Sequence, residues 1–413
     1  MHRTILHVDQ NAFYASVEML ARPALRTVPC AVAGDPVNRH GIVLAKNQLA
    51  KKAGVQTGEA IWEAKQKCPG LILVPPDYPR YIHYSRLARE LYRQYTDRVE
   101  PFGIDECWLD LTGCPKDDGF AVAEEIRERM KTEFGLTVSI GVSWNKIYAK
   151  LGSDLKKPDA TTLITPANYR ELVFPQPAKS LLYVGSSTNR KLRRMGVRTI
   201  GQLAGLEPSF LRSIFGVVGL SLHAFAAGLD QTPVARYGRE VPIKSVGNSI
   251  TARHDLYTES DIKAVTYMLT ESVASRLRDA GMAARTVQIY MRDYQLYNFE
   301  RQAPLPQPTQ LCSEIAPAAL RLIMDNFRPG QWIRSLGVRA SRLIPESRLN
   351  QETYLPDEKQ REAVWRLEDT IDTLRSRYGG LAVRRGISMV DRSLTEHDIK
   401  SENVIHPVGF FGP

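Results

Sequence analysis

The chain has 413 residues, with 43% hydrophobic and 24% charged, a globular composition that excludes a disordered or fibrous polypeptide and leaves room for roughly two to four domains. Lys and Arg (55) exceed Asp and Glu (45), and the formal charge of +10 favours a polyanionic partner. Five scattered cysteines with no C-x-x-C pair argue against a disulfide framework or a cysteine-type zinc site and fit a cytoplasmic protein, and no apolar run is long enough to span a bilayer.

In chain order, Ile5–Asp9 reads as an apolar strand, and Phe13 to Leu20 has helical spacing. Gly41–Ala45 is a second strand, and Glu59–Lys67 a helix closed by Cys68-Pro69-Gly70. Tyr81–Arg98 sets Ile82, Leu87, Leu91 and Tyr95 on one face of an amphipathic helix. It leads into the acid-bearing strand Ile104–Leu111, the helix Ala121–Phe134 and the strand Thr137–Val142, an order that suits a palm-like α+β sheet. Phe174-Pro175-Gln176-Pro177 marks a boundary, after which short helical segments punctuated by glycine run to about Ala235. That stretch carries Lys179, Arg190, Lys191, Arg193, Arg194, Arg198 and Arg212 against only Glu207 and Asp230.

Beyond a polar linker, Arg236–Glu240, the spacing predicts strands over Ile243–Thr251, Thr286–Arg292, Asn298–Arg301 and Ile333–Ala340, with helices over Glu259–Ala280 and Glu314–Phe327. This is a β-α-β-β-α-β, ferredoxin-like order. A charged helix, about Asp357–Tyr378, and a polar tail follow.

Asp9 stands at the end of the first strand, and Asp105 and Glu106 at the start of another. Acids at strand ends of a buried sheet are costly unless they bind a cation. Three carboxylates from two strands suit Mg²⁺, which prefers oxygen ligands and keeps sites for substrate phosphate. Two such ions about 3.5–4 Å apart would stabilise both the attacking and the leaving oxygen of a phosphoryl displacement. Neighbouring strand residues face opposite sides, so the Phe102-Gly103-Ile104 turn must distort the strand start for Asp105 and Glu106 to share one site.

Val8-Asp9-Gln10-Asn11-Ala12-Phe13-Tyr14-Ala15-Ser16-Val17-Glu18, Gly103-Ile104-Asp105-Glu106-Cys107-Trp108-Leu109-Asp110, and Ser139 to Lys146 with Ala149-Lys150 and Ser153 to Asp159 closely resemble the ordered motifs of Y-family DNA polymerases. The closest branch is the bacterial DNA polymerase IV/UV-resistance type. The resemblance implies a right-hand α+β enzyme that adds deoxynucleotides to a primer 3′-hydroxyl with two Mg²⁺ (Mn²⁺ as a substitute). It implies low fidelity without proofreading, and translesion synthesis in DNA repair and the SOS response. The implied domains are a palm (1–19 and 79–170), fingers (20–78), a helix-hairpin-helix thumb (171–235), a linker (236–242), a little finger (243–343) and a C-terminal helix and tail (344–413).

By matching position, Asp9, Asp105, Glu106 and the Gln10 carbonyl would hold metal, Tyr14 would be the steric gate against a ribose 2′-hydroxyl, and Phe13 would lie beneath the sugar. Lys51 and Lys157 would meet the triphosphate, together with Gln48, while Ile42, Leu44 and Gly58 would surround the nascent base pair. Gln48, Lys51 and Gly103 stand where the family usually has tyrosine, arginine and serine. Gly185, Ser187, Arg190 and Lys191 in the thumb, and Arg285, Arg292, Arg334 and Arg339 in the little finger, would bind the DNA backbone. Gln351, Tyr354 and Leu355 fall where relatives carry a sliding-clamp peptide. The partners implied are primer-template DNA, a deoxynucleoside triphosphate and the β sliding clamp, with no membrane and a monomeric chain. A catalytically silent DNA- or clamp-binding scaffold is one alternative. A nucleotide cyclase on a palm-type sheet is another, which the thumb and little finger disfavour.

Overall fold

Six successive residues, Ile5–Gln10, are all buried and form the strand around which the N-terminal half is built. The computed structural model describes residues 3–34, 41–116, 118–239, 242–328, 330–351, 358–396 and 400. They fall into two compact units, one of described residues up to Ala33 and from Val43 to 239, the other of Gly34, Gly41, Ile42 and the described residues from 242 onward.

The strands of the first unit are β1 (Ile5–Gln10), β2 (Cys30–Ala33), β3 (Val43–Lys46), β4 (Ile72–Val74), β5 (Val99–Pro101), β6 (Glu106–Asp110), β7 (Val138–Ser143) and β8 (Thr161–Leu163). The main sheet runs β5-β6-β1-β7-β8, with β1 antiparallel to both neighbours. Alternation divides its side chains. Leu6, Val8, Cys107 and Leu109 pack with the helices Tyr78–Arg93 and Gly119–Phe134, whereas Ile5 and Trp108 join the helix Lys146–Leu155 on the other face.

A smaller sheet, β3-β2-β4, lies between residues 30 and 74. The sequence pattern reveals only β3; β2 and β4, of four and three residues, are not among the strands it predicts. The helix expected over Tyr81–Arg98 lies at Tyr78–Arg93: the Asp77 side chain accepts from Arg80 N at 3.1 Å and Pro79 occupies the first turn, a start signal three residues upstream.

Four helices follow, Ser186–Arg194, Ile200–Ala204, Pro208–Phe215 and Val217–Ala226, packed through Leu192, Leu203, Leu211 and Leu222. Thr199 and Gln202 cap the second reciprocally, each side chain accepting from the other's N–H at 3.2 Å. At Gly219 a Cβ would fall 2.2 Å from the Leu211 carbonyl oxygen, so the last two helices cross where only glycine fits.

The second unit holds β9 (Ser245–Leu256), β10 (Met282–Asp293), β11 (Asn298–Thr309) and β12 (Ile333–Pro345) in the order β11-β10-β12-β9, every pair antiparallel. The helices Glu259–Asp279 and Cys312–Met324 cover one face through Val287, Ile289, Met291, Leu336 and Val338. Here β11 continues past Arg301 through Pro304, Pro306 and Pro308, which an edge strand tolerates because a missing N–H there faces solvent. The helix Glu358–Tyr378 docks on the same unit by charge. Glu368 accepts from Cys312 N at 2.9 Å and Ser313 N at 3.2 Å, capping a helix from outside, and pairs with Arg278 at 2.7 Å.

Candidate active site

The β1–β6 register sets Asp9 opposite Glu106, so their side chains emerge on the same face, that of the helix Lys146–Leu155. The end of β1 is pinned next to them. Asn11 N donates to Thr137 O at 2.9 Å, and its side-chain oxygen accepts from Ser139 Oγ at 2.9 Å. Ala12 then takes a left-handed conformation (φ 48°) that starts the helix Phe13–Ala21, which is why Tyr14 follows the first acid so closely.

Asp9 Oδ2 meets Lys157 Nζ at 2.7 Å, and Lys157 also reaches Asp154 at 2.8 Å. Burial, together with repulsion from Glu106 and Asp105, raises the Asp9 carboxyl to about 7 despite that lysine. Burial and the Glu106 charge raise Asp105 to about 6. Glu106 is held low instead: burial acts upward, but His7, with Nε2 3.4 Å away, and Lys150, at 2.7 Å, outweigh it. His7 is fully buried, and burial lowers its pKa to about 4. His7 Nδ1 lies 2.8 Å from Ser153 Oγ, whose hydroxyl is also 2.7 Å from Lys150 O.

Tyr14 lies flat on Tyr81, with ring centres 4.4 Å apart and planes at 12°, and Tyr78 meets it edge-on at 6.2 Å. The Tyr81 hydroxyl donates to the buried Glu18 at 2.8 Å, and Phe13 is buried beside these rings. Burial and then the Asp105 charge push the Tyr14 phenol up to about 12.

Next to the smaller sheet Gln48 and Lys51 are exposed on the helix Gln48–Lys52, Leu44 of β3 is half-buried, and Gly58 (φ 86°) donates to Val43 O at 2.8 Å. Ile42 is exposed. Lys46, passed over in the sequence, donates to Thr57 Oγ1 at 3.0 Å, and burial followed by the Lys51 charge lowers its pKa. Gly185, Ser187, Arg190 and Lys191 are exposed in one stretch. Gly216 (φ 64°), one of the glycines that punctuate this stretch, makes a second turn beside exposed Val217 and Val218.

In the second unit the register aligns Arg292 with Ser335 and Arg339 with Gln288 on the sheet face away from the helices. Arg285 and Arg334 fall at irregularities in the ladder, so alternation does not assign them to that face. Gln351 ends a 3₁₀ turn, while Tyr354 and Leu355 lie outside the described residues.

Among the described residues no three acidic, histidine or cysteine side chains close on a point as a ready metal cage. Their chemistry nevertheless fits a hard divalent cation. The acids are oxygen donors, two with carboxyls raised by burial and by neighbouring carboxylates, and lysine ammonium groups pair with Asp9 and Glu106.

A mixed five-stranded sheet with acids at facing strand ends, glycine-turned helix pairs and a separate four-stranded unit are the architecture of a nucleotide-adding polymerase. Models of the impB/mucB/samB family match residues 8–154, and of that family's C-terminal domain residues 243–353. A DNA polymerase IV from Acetivibrio thermocellus is 48% identical, over 95% of this chain and 99% of that one. The DNA polymerase IV of Moorella thermoacetica is 35% identical (94% and 96% covered), and DNA polymerase IV 1 of Bacillus subtilis 34% (94% and 93%). A solved Y-family polymerase chimera of Dbh and Dpo4 segments shares the fold with a TM-score of 0.72 at 23% identity, over 83% of this chain and 99% of that one. The chain belongs to the Y-family of DNA polymerases and is of the bacterial DNA polymerase IV type, a DNA-directed enzyme of translesion synthesis. Binding of primer-template DNA and deoxynucleotides, and a general dependence on divalent metal, go with that membership. No described helix is long and apolar enough to cross a membrane.

Proposed function

We propose that Asp9, Asp105, Glu106 and the Gln10 carbonyl hold two Mg²⁺ ions, with Mn²⁺ able to substitute, at the point where a primer 3′-hydroxyl meets the α-phosphate of a deoxynucleoside triphosphate. When bound, the ions supply activation of the hydroxyl and charge balance at the departing pyrophosphate. The observation that carries this is the facing pair Asp9 and Glu106 with Asp105 next in sequence, carboxylates that burial and then one another's charge make costly to ionise without a cation. Tyr14, backed by Tyr81, occupies the space of a ribose 2′-hydroxyl, with Phe13 beneath the sugar. Lys157 and Lys51 meet the triphosphate, and Lys46 joins Lys51 where the arginine usual in relatives is missing. Gln48, Ile42, Leu44 and Gly58 surround the incoming nucleotide.

The first unit supplies palm, fingers and thumb, and residues 243–343 the little finger. Gly185, Ser187, Arg190 and Lys191 hold phosphates at a helix start, while Arg285, Arg292, Arg334 and Arg339 track the backbone. A monomeric, cytoplasmic enzyme docking on the sliding clamp through Gln351, Tyr354 and Leu355 completes the proposal. Primer extension with Mg²⁺ and four deoxynucleotides, wild type against Asp105→Ala/Glu106→Ala, tests it. Extension by the wild type alone is expected. No extension by either, with DNA still bound, would transfer the chain to the silent scaffold.

A further inference from the structure

By strand alternation Asp105 belongs on the face of Cys107 and Leu109, away from Asp9 and Glu106. Asp105 precedes the first residue of β6, however, and its carbonyl accepts from Gln10 N at 3.1 Å, which holds it beside the end of β1 that carries Asp9. The backbone before β6 accounts for this. Gly103 has φ 132°, a conformation open to glycine, and a Cβ added there would lie 3.7 Å from Asp105 Oδ1.

A kink takes carbonyls out of the ladder, and each of the four here has a partner. Asp105 O accepts from Gln10 N at 3.1 Å and Glu106 O from Phe102 N at 2.9 Å, both backbone bonds. Gly103 O accepts from Arg89 Nη2 at 2.8 Å, and Ile104 O accepts from Ser85 Oγ. Arg89 and Ser85 are four residues apart on the helix Tyr78–Arg93 and so share one of its faces. Ser85 is buried. One helix face thus holds the kink from below at two points, the Gly103 and Ile104 carbonyls.

We infer that Arg89 and Ser85 are positioning residues, which pin the Gly103 and Ile104 carbonyls so that Asp105 joins Asp9 and Glu106 in one metal-binding set. Without Arg89 the Gly103 carbonyl loses its partner at the most permissive residue of the segment, and β6 relaxes toward regular alternation. That relaxation carries Asp105 toward the Cys107 face and leaves two carboxylates where three are needed. The inference rests on the proposed role of Asp105, so its test must separate the two.

The experiment is a Mn²⁺ titration of the full chain, read by the electron paramagnetic resonance of free Mn²⁺. A dideoxy-terminated primer-template and the next deoxynucleotide are present, so nothing turns over. Arg89→Met should weaken Mn²⁺ binding by about tenfold, the cost usual for losing a residue that orients a ligand. Arg89→Lys, which keeps a donor, should recover part of the loss, and Ser85→Ala should shift binding in the same direction. In primer extension the half-saturating Mg²⁺ should rise with Arg89→Met by the same factor, a shift that a purely structural residue would not cause. Asp105→Ala is the control: if it leaves Mn²⁺ binding unchanged, the metal role of Asp105 falls. If Asp105→Ala weakens binding but Arg89→Met and Ser85→Ala do not, the positioning role alone is overturned. Should Arg89→Met fail to fold, unchanged Mn²⁺ binding in Ser85→Ala overturns it.

Discussion

Tyr81→Leu probes how Tyr14 keeps its place. The two rings are stacked at 4.4 Å, and the lower one is fixed through its hydroxyl to Glu18, a carboxylate only 1% exposed. An aromatic pair contributes about 0.5–1.5 kcal/mol beyond the area it buries. Losing that restraint on the gate should lower discrimination against ribonucleotides by roughly 2- to 13-fold, at about 1.36 kcal/mol per tenfold. Tyr81→Phe separates the ring from its anchor. It keeps the stack but leaves buried Glu18 with Arg80, 3.4 Å away, and should cost about 1–3 kcal/mol of stability with little change in sugar selectivity. The assay is single-nucleotide insertion, comparing kcat/KM for dATP and ATP opposite template T, with Tyr14→Ala marking full loss of the gate. If Tyr14→Ala admits ribonucleotides and Tyr81→Leu does not differ from wild type, support of the gate by stacking is refuted.

Asp9 and Asp105 are raised to about 7 and about 6 from an ordinary 3.8, so their effect on metal-free stability is full at low pH and lost as pH rises through those values. The metal-free thermal midpoint should therefore fall between about pH 5 and 7.5, and Mg²⁺ should restore more of it at the upper end; a flat profile would refute this. Glu106 acts oppositely but lower, its contribution being lost only as pH falls from the ordinary 4.5 toward about 2. Primer-template affinity should fall steeply with salt, and Arg292→Ala or Arg339→Ala should each flatten the log–log slope by about 1; an unchanged slope would remove that residue from phosphate contact. Glu368→Ala leaves buried Arg278 with Asp372 as its remaining carboxylate partner and uncaps the helix Cys312–Met324, so it should cost about 1–3 kcal/mol and expose the helix Glu358–Tyr378 to proteolysis; an unshifted unfolding midpoint would contradict that role.

The acids were legible because carboxylates at the ends of apolar strands are chemically out of place, and β1, β6 and β7 are apolar enough to be seen as strands. Their supports were not. Glu18 reads as an ordinary polar helix residue, but its partner Tyr81 is 63 residues away. Asn47 looks like a turn residue, yet it is buried, accepting from Cys30 N and Ala50 N and donating to Leu25 O and Val28 O. Such pairings follow from the path of the chain, which no local period encodes. Prolines hid the length of β11 for a related reason: whether a strand tolerates them depends on its being an edge. The Asp105–Glu106 problem was visible in the sequence, since alternation forbids both from facing one way. Its solution sits in Ser85 and Arg89 on a helix whose pattern shows only apolar periodicity.

The lysines around the acids complete the electrostatic argument. Asp9 and Glu106 face each other across β1 and β6, yet their firm partners are different ammonium groups, Lys157 and Lys150. The two acids respond differently, because Glu106 is held low with His7 assisting while Asp9, beside two other carboxylates, is raised despite its lysine. On the proposed mechanism both acids would exchange an ammonium for metal, and Lys157, released from Asp9, would be available to the triphosphate that it is proposed to meet. A lysine suits this exchange better than an arginine, since a single-point charge on a flexible stem gives up a carboxylate without breaking a bidentate pair.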